Sequence, residues 1–493
     1  MRSTRLRLLT VFISLTLGCQ ATPERGADVR SSTEGVGLAA TSIRAPSGDY
    51  ISWREHLIDD ETTAGPELRG GDGLVMADFN RDGHLDIVSV HESDTEYDGR
   101  PDGLIRIAFG TGDPDRWSSV TLGSGSEVGA PEDVAVGDLN GDGYLDIVAA
   151  CELAHLIYFE NPGKDAATQT WARHIPKVAS NRGSFIRVFI ADLTGDGRVE
   201  VVTANKGAQN PTLEMGPKAI SWFSIEGSPL VSASWVEHEL TQVRWPINAQ
   251  PVDLDGDGDL DIVGGSVAER RIMWFENLGM GRFSEHRIPV PATAVPPARR
   301  SAAERKVEGA VVTGFNMDFV DLSRDGRIDI VLAEASHTLV WLEQPSGRDE
   351  AWALHAIGAN WPDQVTGIRI ADINGDGRVD IMTGGYSRSP RDQDAEIAVS
   401  TPMGRLSWFE QPANAKEPWI RHDISRRQRG MFDQFAARDM DRDGDVDFVS
   451  TRGNSAPYDG VFWLEHVRSP EPRPSFVAAR VSESPERPLP PRE

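Results

Sequence analysis

Seven copies of one nine-residue phrase, Asp-x-(Asp/Asn/Ser/Thr)-x-Asp-Gly-x-x-(Asp/Glu), punctuate the chain, and each leads into a short apolar run. The copies are DFNRDGHLD (78–86), DLNGDGYLD (138–146), DLTGDGRVE (192–200), DLDGDGDLD (253–261), DLSRDGRID (321–329), DINGDGRVD (372–380) and DMDRDGDVD (439–447). Their starts are separated by 60, 54, 61, 68, 51 and 67 residues. A chain of 493 residues is too long for one ordinary compact domain, but not for a stack of similar units. The period therefore constrains the fold before any other feature does.

The phrase has the chemistry of a hard-cation loop. Calcium takes six to eight oxygen ligands, and oxygen-bearing side chains at alternate positions of a tight loop converge on one point. Positions one, three, five and nine supply them here. They are Asp78, Asn80, Asp82 and Asp86; Asp138, Asn140, Asp142 and Asp146; Asp192, Thr194, Asp196 and Glu200; Asp253, Asp255, Asp257 and Asp261. The remaining loops supply Asp321, Ser323, Asp325 and Asp329; Asp372, Asn374, Asp376 and Asp380; Asp439, Asp441, Asp443 and Asp447. Gly at position six lets the backbone turn, and position seven offers its carbonyl. An EF-hand loop begins similarly but is flanked by helices. These loops instead enter runs such as DIVAA (146–150) and DIVLA (329–333), which read as buried strands. Up to seven structural calcium ions are expected, with Thr194 and Ser323 marking the weakest sites. The competing reading is an Asp/Gly-rich turn that holds no ion.

Each interval carries two further echoes. One is an aromatic strand, such as LIYFENP (156–162), IMWFENLG (272–279) or LSWFEQP (406–412). The other ends in a His motif: WARHIP (171–176), WVEHEL (235–240), FSEHRI (283–288), WALHAI (352–357) and WIRHDI (419–424). A strand of this last type, WREHLI (53–58), also opens the repeat region. The unit thus reads strand A, acidic loop, strand B, aromatic strand C and outer strand D. Seven such units predict an all-β fold, a seven-bladed β-propeller of four-stranded blades with calcium loops between the first and second strands. Segments 53–58 and 475–481 compete as the strand that closes the ring. His56, His174, His238, His286, His355 and His422 recur at one strand position, which marks them as structural.

The chain resembles the FG-GAP/VCBS repeat proteins, relatives of the integrin α-subunit propeller. Blade two is nearest the family pattern, with Phe109-Gly110, Gly129-Ala130-Pro131 and its loop, and WFENLGMGRFSEHRI (274–288) is similar to the VCBS variant. The resemblance covers roughly residues 49–466, although most blades lack the Phe-Gly and Gly-Ala-Pro flanks. It implies a propeller, calcium, and adhesion or ligand binding. Some bacterial polysaccharide lyases and dehydratases resemble such propellers too, which keeps an enzyme as the alternative.

The net charge of −26 follows largely from the loops, whose ligand positions hold 23 carboxylates that seven calcium ions would offset by +14. No basic stripe with interleaved aromatics points to nucleic acid. Arg2, Arg5 and Arg7 precede the apolar run Leu8 to Leu17, and Gly18-Cys19 follows, which reads as a lipoprotein-type export signal over residues 1–19. Cys19 is the expected lipidation site. The protein is then expected at the cell envelope of a bacterium, outer membrane included, with plain secretion as the alternative. Residues 20–48 read as a flexible tether and 467–493 as a Pro-rich tail.

In a four-stranded blade, the A–B loops lie on one face and the D–A and B–C connections on the other. Function is therefore sought opposite the calcium loops, where irregular segments gather on a rigid frame. The candidates there are His91, Glu92, Lys206, Trp245, Glu334, Trp361, Asp363 and Arg452, with Asp433 and Gln434 at a neighbouring strand start. The basic segment 425–432 joins the same face. No catalytic triad, zinc-spaced His/Cys set or phosphate loop is present, so the function expected is noncatalytic recognition of a glycan or surface protein by a monomeric propeller. The alternative lyase or dehydratase would use His91 or His337 with nearby Arg and carboxylates. For the anchor, Cys19→Ala should abolish lipid labelling and membrane fractionation, and unchanged fractionation would exclude a lipid at this residue.

Overall fold

Seven sheets follow one another along the chain in the computed structural model, which describes residues 34–65, 67–93, 99, 101–153, 155–212, 214–348, 350–387, 397–480 and 484–490. Cys19 and the expected signal lie outside the described residues, as do 388–396. Six sheets are four consecutive antiparallel strands, and the seventh has five. The A strands are Gly71–Ala77, Pro131–Gly137, Phe185–Ala191, Pro246–Val252, Val312–Val320, Gly367–Ala371 and Phe435–Arg438. Each touches the next, and the last touches the first, so the sheets close into a seven-bladed ring.

The B strands are the Ile/Val-rich runs after the acidic loops. Asp146–Cys151 is buried along its whole length, because neighbouring blades cover both faces of the sheet. Cys151 is one such wall residue, a buried free thiol.

The aromatic and His echoes become strands C and D in direct register. Trp222, Trp274, Trp341, Trp408 and Trp463 stand opposite His238, His286, His355, His422 and His56. Each pair meets ring on ring, with centroids between 3.9 Å and 4.9 Å apart. In four of these blades the His Nε2 also meets a Glu two residues after the Trp: Glu276, Glu343 and Glu465 at 2.7 Å and Glu410 at 2.8 Å. Both nearest neighbours of the imidazole are therefore structural, which is the physical content of the repeated His. Cross-strand aromatic pairs of this kind contribute roughly 0.5–1.5 kcal/mol each beyond the area they bury.

Both candidate segments take part in ring closure. Tyr50–Asp60 lies antiparallel to Gly460–Ser469 as the fourth strand of blade seven, and Phe476–Val477 adds in parallel on its outer side. The described parts of the expected tether and tail differ from loose segments. Thr41 N donates to Arg473 O at 2.8 Å, Ser475 N to Ala39 O at 2.8 Å, and Val36 N to Arg487 O at 3.2 Å. Glu486 accepts from Gly37 N at 2.9 Å and from Arg426 N at 3.1 Å. Together the termini cover the last sheet edge, which would otherwise present unpaired backbone groups.

Glu55 fixes the closing strand to the ring. Its buried carboxylate accepts from Arg452 Nη1 at 3.0 Å, from Arg427 Nη2 at 3.2 Å, and from Ala479 N at 3.2 Å. Burial raises its pKa, but the two guanidiniums more than offset that, and the group lies below the ordinary carboxylate value. A carboxyl with a depressed folded-state pKa contributes stability above its unfolded pKa and loses it as pH falls through the folded value. Glu55→Gln leaves two buried guanidiniums without their anion and should cost about 3–5 kcal/mol. It should also flatten the acid limb of the curve of Tm against pH, both read by thermal melts.

Candidate functional sites: the oxygen-rich loops and the opposite face

All seven acidic loops fold alike. The position-six glycines have φ between 81° and 97°, a region closed to most L side chains. In loop two, Asp138 Oδ1 accepts from Gly141 N and Oδ2 from Gly143 N, both at 2.8 Å. Asn140 Oδ1 accepts from Asp142 N at 2.9 Å, and Asp142 Oδ1 from Tyr144 N at 2.8 Å. The donor set is all hard oxygen and suits calcium. Where positions one, three and five are all acids, the arrangement is tight: ligand oxygens of Asp253, Asp255 and Asp257, and of Asp439, Asp441 and Asp443, lie within 4.8 Å of one another. In loop three, Thr194 Oγ1 is enclosed and finds no hydrogen-bond partner among the described residues.

Position nine has a second duty. Asp86, Asp146, Asp261, Asp329, Asp380 and Asp447 are at most 1% exposed. One oxygen accepts the position-two N–H of the loop, as from Leu139 at 3.1 Å. The other accepts the N–H just beyond strand C, as from Asn161 at 2.9 Å. The same pair of bonds recurs at Asp261 with Leu254 and Asn277, and at Asp380 with Ile373 and Gln411. Burial pushes Asp380 and Asp447 up to about 7 and the other four Asp to about 6. Their backbone donors hold them down in part, and acids of the same loop add to the rise. In three loops one oxygen already accepts two bonds, Asp261 Oδ2 from Leu254 N and Trp274 Nε1, Asp329 Oδ2 from Leu322 N and Ser323 N, and Asp380 Oδ2 from Ile373 N and Asn374 N, which leaves the other oxygen as the better cation ligand.

The residue after strand C also reaches across the blade boundary. Asn161 Nδ2 donates to Phe79 O at 3.0 Å, Asn277 Nδ2 to Leu193 O at 2.8 Å, and Gln344 Nε2 to Leu254 O at 3.1 Å. Each acceptor is position two of the preceding blade's loop, so the loops link neighbouring blades as well as strands. In loops five and six the position-five acid is already paired with an arginine, Asp325 with Arg327 and Asp376 with Arg378. A cation must displace that guanidinium.

On the opposite face the candidates divide. Asp363, fully buried, holds Arg426 in a bidentate pair at 2.7 Å and 2.8 Å and accepts Met403 N at 2.9 Å. Glu334, also fully buried, anchors the long insertion through Thr293 Oγ1 and through Ala294 N at 2.8 Å. Arg452 belongs to Glu55. The basic segment 425–432 is not a solvated patch, since Arg426, Arg427 and Arg429 are all buried. His91 is fully buried with Ser89 Oγ 3.0 Å from its Nε2, and burial followed by the charge of Arg106 pushes it down to about 3. A ring so placed is neutral and closed to substrate. Trp245 is half-buried against the core between blades three and four.

Trp361 stands apart, 42% exposed, with His337 against its edge at 4.9 Å and the Arg299 guanidinium 5.4 Å from its ring. On blade three the same face opens into a cleft of about 520 Å³. Its walls are Asn181 and Arg182 before strand A, Asn205 at the end of strand B, Lys218 at the start of strand C, and Glu239 and Gln242 on strand D.

Glu92 and Lys206 instead lie near a polar cluster that joins the candidates Asp433 and Gln434 to residues that sequence reasoning missed. Arg187, from the third A strand, crosses the ring to Asp433 at 2.7 Å and Asn316 at 3.1 Å, while Gln434 reaches Asp133 at 2.9 Å. These polar bonds span the centre of the ring. Beside them lie Asp72 and Glu132: burial raises both carboxyls, and Glu132 and Glu92 push Asp72 well above the usual range, whereas Lys206 and Arg187 hold Glu132 down in part. For Asp72, Glu132 and Arg187 the sequence trace was a polar residue near the start of an A strand.

A family model described as FG-GAP-like repeat matches residues 78–149, 192–264 and 321–383, stretches that contain six of the seven loops. The protein is an all-β, seven-bladed propeller that carries FG-GAP-like repeats in three places. The chain matches no curated protein. Among solved structures, it is similar to "NanB plus Optactamide" at 9% identity and TM-score 0.43, and to the NanB sialidase from Streptococcus pneumoniae in complex with 2-[(3-chlorobenzyl)ammonio]ethanesulfonate at 10% and 0.42. Each covers 84% of this chain and 70% of that one, an overlap too loose to bear on function.

A ligand that binds only the folded state stabilises it by mass action, by about 2.7 kcal/mol per site at a hundredfold excess over Kd. Chelation should therefore lower Tm. Asp443→Asn should erase more of the calcium-dependent shift than Asp325→Asn, because Arg327 already competes in the latter loop. Equal effects of the two variants in calcium-titrated melts would contradict this ranking.

Proposed function

We propose that the protein is a noncatalytic recognition module of the bacterial cell envelope. It binds a glycan through the face opposite the acidic loops, while calcium in those loops braces the ring. The observation that carries this reading is the blade-three cleft. Amide, guanidinium, ammonium and carboxylate groups from four chain segments converge there, and sugars, which present hydroxyls in all directions, are held by such convergent polar groups in a preformed cavity. The exposed Trp361, on the D–A connection after blade five, adds an aromatic surface on that face against which a sugar ring can pack.

The alternative of a lyase or dehydratase needs a solvent-reached acid–base pair. His91 does not supply one, being enclosed and held neutral. His337, 7% exposed, is pushed down by burial and faces Trp361, a neighbour suited to packing.

A glycan array followed by calorimetry tests the proposal. The Arg182→Ala/Lys218→Ala variant should lose at least tenfold in affinity with its Tm unchanged. Binding that survives this change excludes the cleft. Appearance of cleaved or unsaturated product from any polysaccharide in the panel overturns the noncatalytic reading.

A further inference from the structure

Three successive blades place a charged side chain at one equivalent position. Glu92, Glu152 and Lys206 each directly follow strand B of blades one, two and three. Their backbone N–H groups donate to the residue two before the equivalent A-strand position: Gly70 O at 2.9 Å, Ala130 O at 2.8 Å and Ser184 O at 2.7 Å. Asp72 and Glu132 are the second residues of the first two A strands, so both blades also match there. These strands approach closely at Gly73, where a Cβ would sit 2.7 Å from Asp133 Oδ1.

The result is a buried anionic cluster. Ligand oxygens of Asp72, Glu92 and Glu132 lie within 4.8 Å of one another, and the residues are 2%, 1% and 9% exposed. Asp72 Oδ2 is enclosed and has no hydrogen-bond partner among the described residues. Gln209 Nε2 donates to Glu92 Oε1 at 3.3 Å. Two cations lie nearby, Lys206 ion-paired with Glu152 and Arg187 with Asp433, and their charges also reach the cluster. Crowding three buried carboxylates is expensive, since each one that ionises raises the cost of ionising the next. An oxygen-only set of this kind suits a hard divalent cation.

We propose that Asp72, Glu92 and Glu132 hold a divalent cation at the end of the ring opposite the acidic loops, a site distinct from the seven loops. Lys206 limits its affinity, because the ammonium lies close enough to all three acids to be felt by them.

Manganese is a suitable probe, since it prefers the same oxygen ligands and scatters anomalously. In crystals of the full chain soaked with Mn²⁺, an anomalous peak should appear among these three carboxylates. In calorimetry, Asp72→Asn and Glu132→Gln should each weaken one equivalent of Mn²⁺ at least tenfold, Asp257→Asn should leave that equivalent in place, and Lys206→Met should tighten it. No peak at the cluster in crystals whose loops are filled overturns the proposal. So does an Asp72→Asn protein with wild-type stoichiometry, or one that is stabilised equally with and without Mn²⁺, since the acids then share protons. If Asp72→Asn does not fold, the wild-type anomalous map and Lys206→Met decide.

Discussion

The carboxylate at position nine of each acidic loop is the constraint on which the blades depend. Its two oxygens accept one N–H from the loop and, in six of the blades, another from the end of strand C, so one buried anion sets both the turn and the third strand. The side-chain amide that follows strand C then caps a carbonyl in the preceding blade's loop. A buried carboxylate without such donors would cost several kcal/mol, and with them it orders three chain segments at once. Loop, strand and blade boundary are therefore one hydrogen-bonded unit repeated around the ring. This gives position nine a role in the fold that does not require metal, whereas the other ligand positions are mostly nearer the surface, and in loops four, five and six an arginine already pairs with one of them.

The two faces consequently do different work. The loop face is acidic and self-bonded. The opposite face receives the irregular connections, yet much of it is also structural, because Asp363, Glu334 and Arg452 are consumed by the salt links that hold insertions and termini in place. The centre of the ring is spanned by Arg187, Asp433 and Asn316, so the exposed candidates move outward to the blade-three cleft and to Trp361.

Much of the fold was legible in the residues. The seven phrases, the Trp of strand C and the His of strand D recur because each blade repeats the same contacts, and local repetition writes itself into sequence. The Trp341–His355 stack with Glu343 shows why: three residues on two adjacent strands complete the contact without help from elsewhere. The candidate sites were less legible. His91 and Glu92 are consecutive, and their strand position suggested a shared place at the channel mouth. Alternation along the chain instead brings His91 near Arg106 and Glu92 into the acidic cluster. Arg426 and Arg427 likewise read as a solvated basic loop, since nothing local signals that Asp363 and Glu55 wait for them.

The sequence by itself determined the strand order of the blade, the number of blades and the face on which the acidic loops lie, because each depends on contacts within a single repeat. Only the tertiary structure decided which charges are buried together. Arg187 meets Asp433 across 246 positions of chain, and Glu55 meets Arg452 across 397. The closing strand was shared between both termini for the same reason. Such contacts arise when the ring shuts, and no spacing along the chain encodes the partner that closure brings.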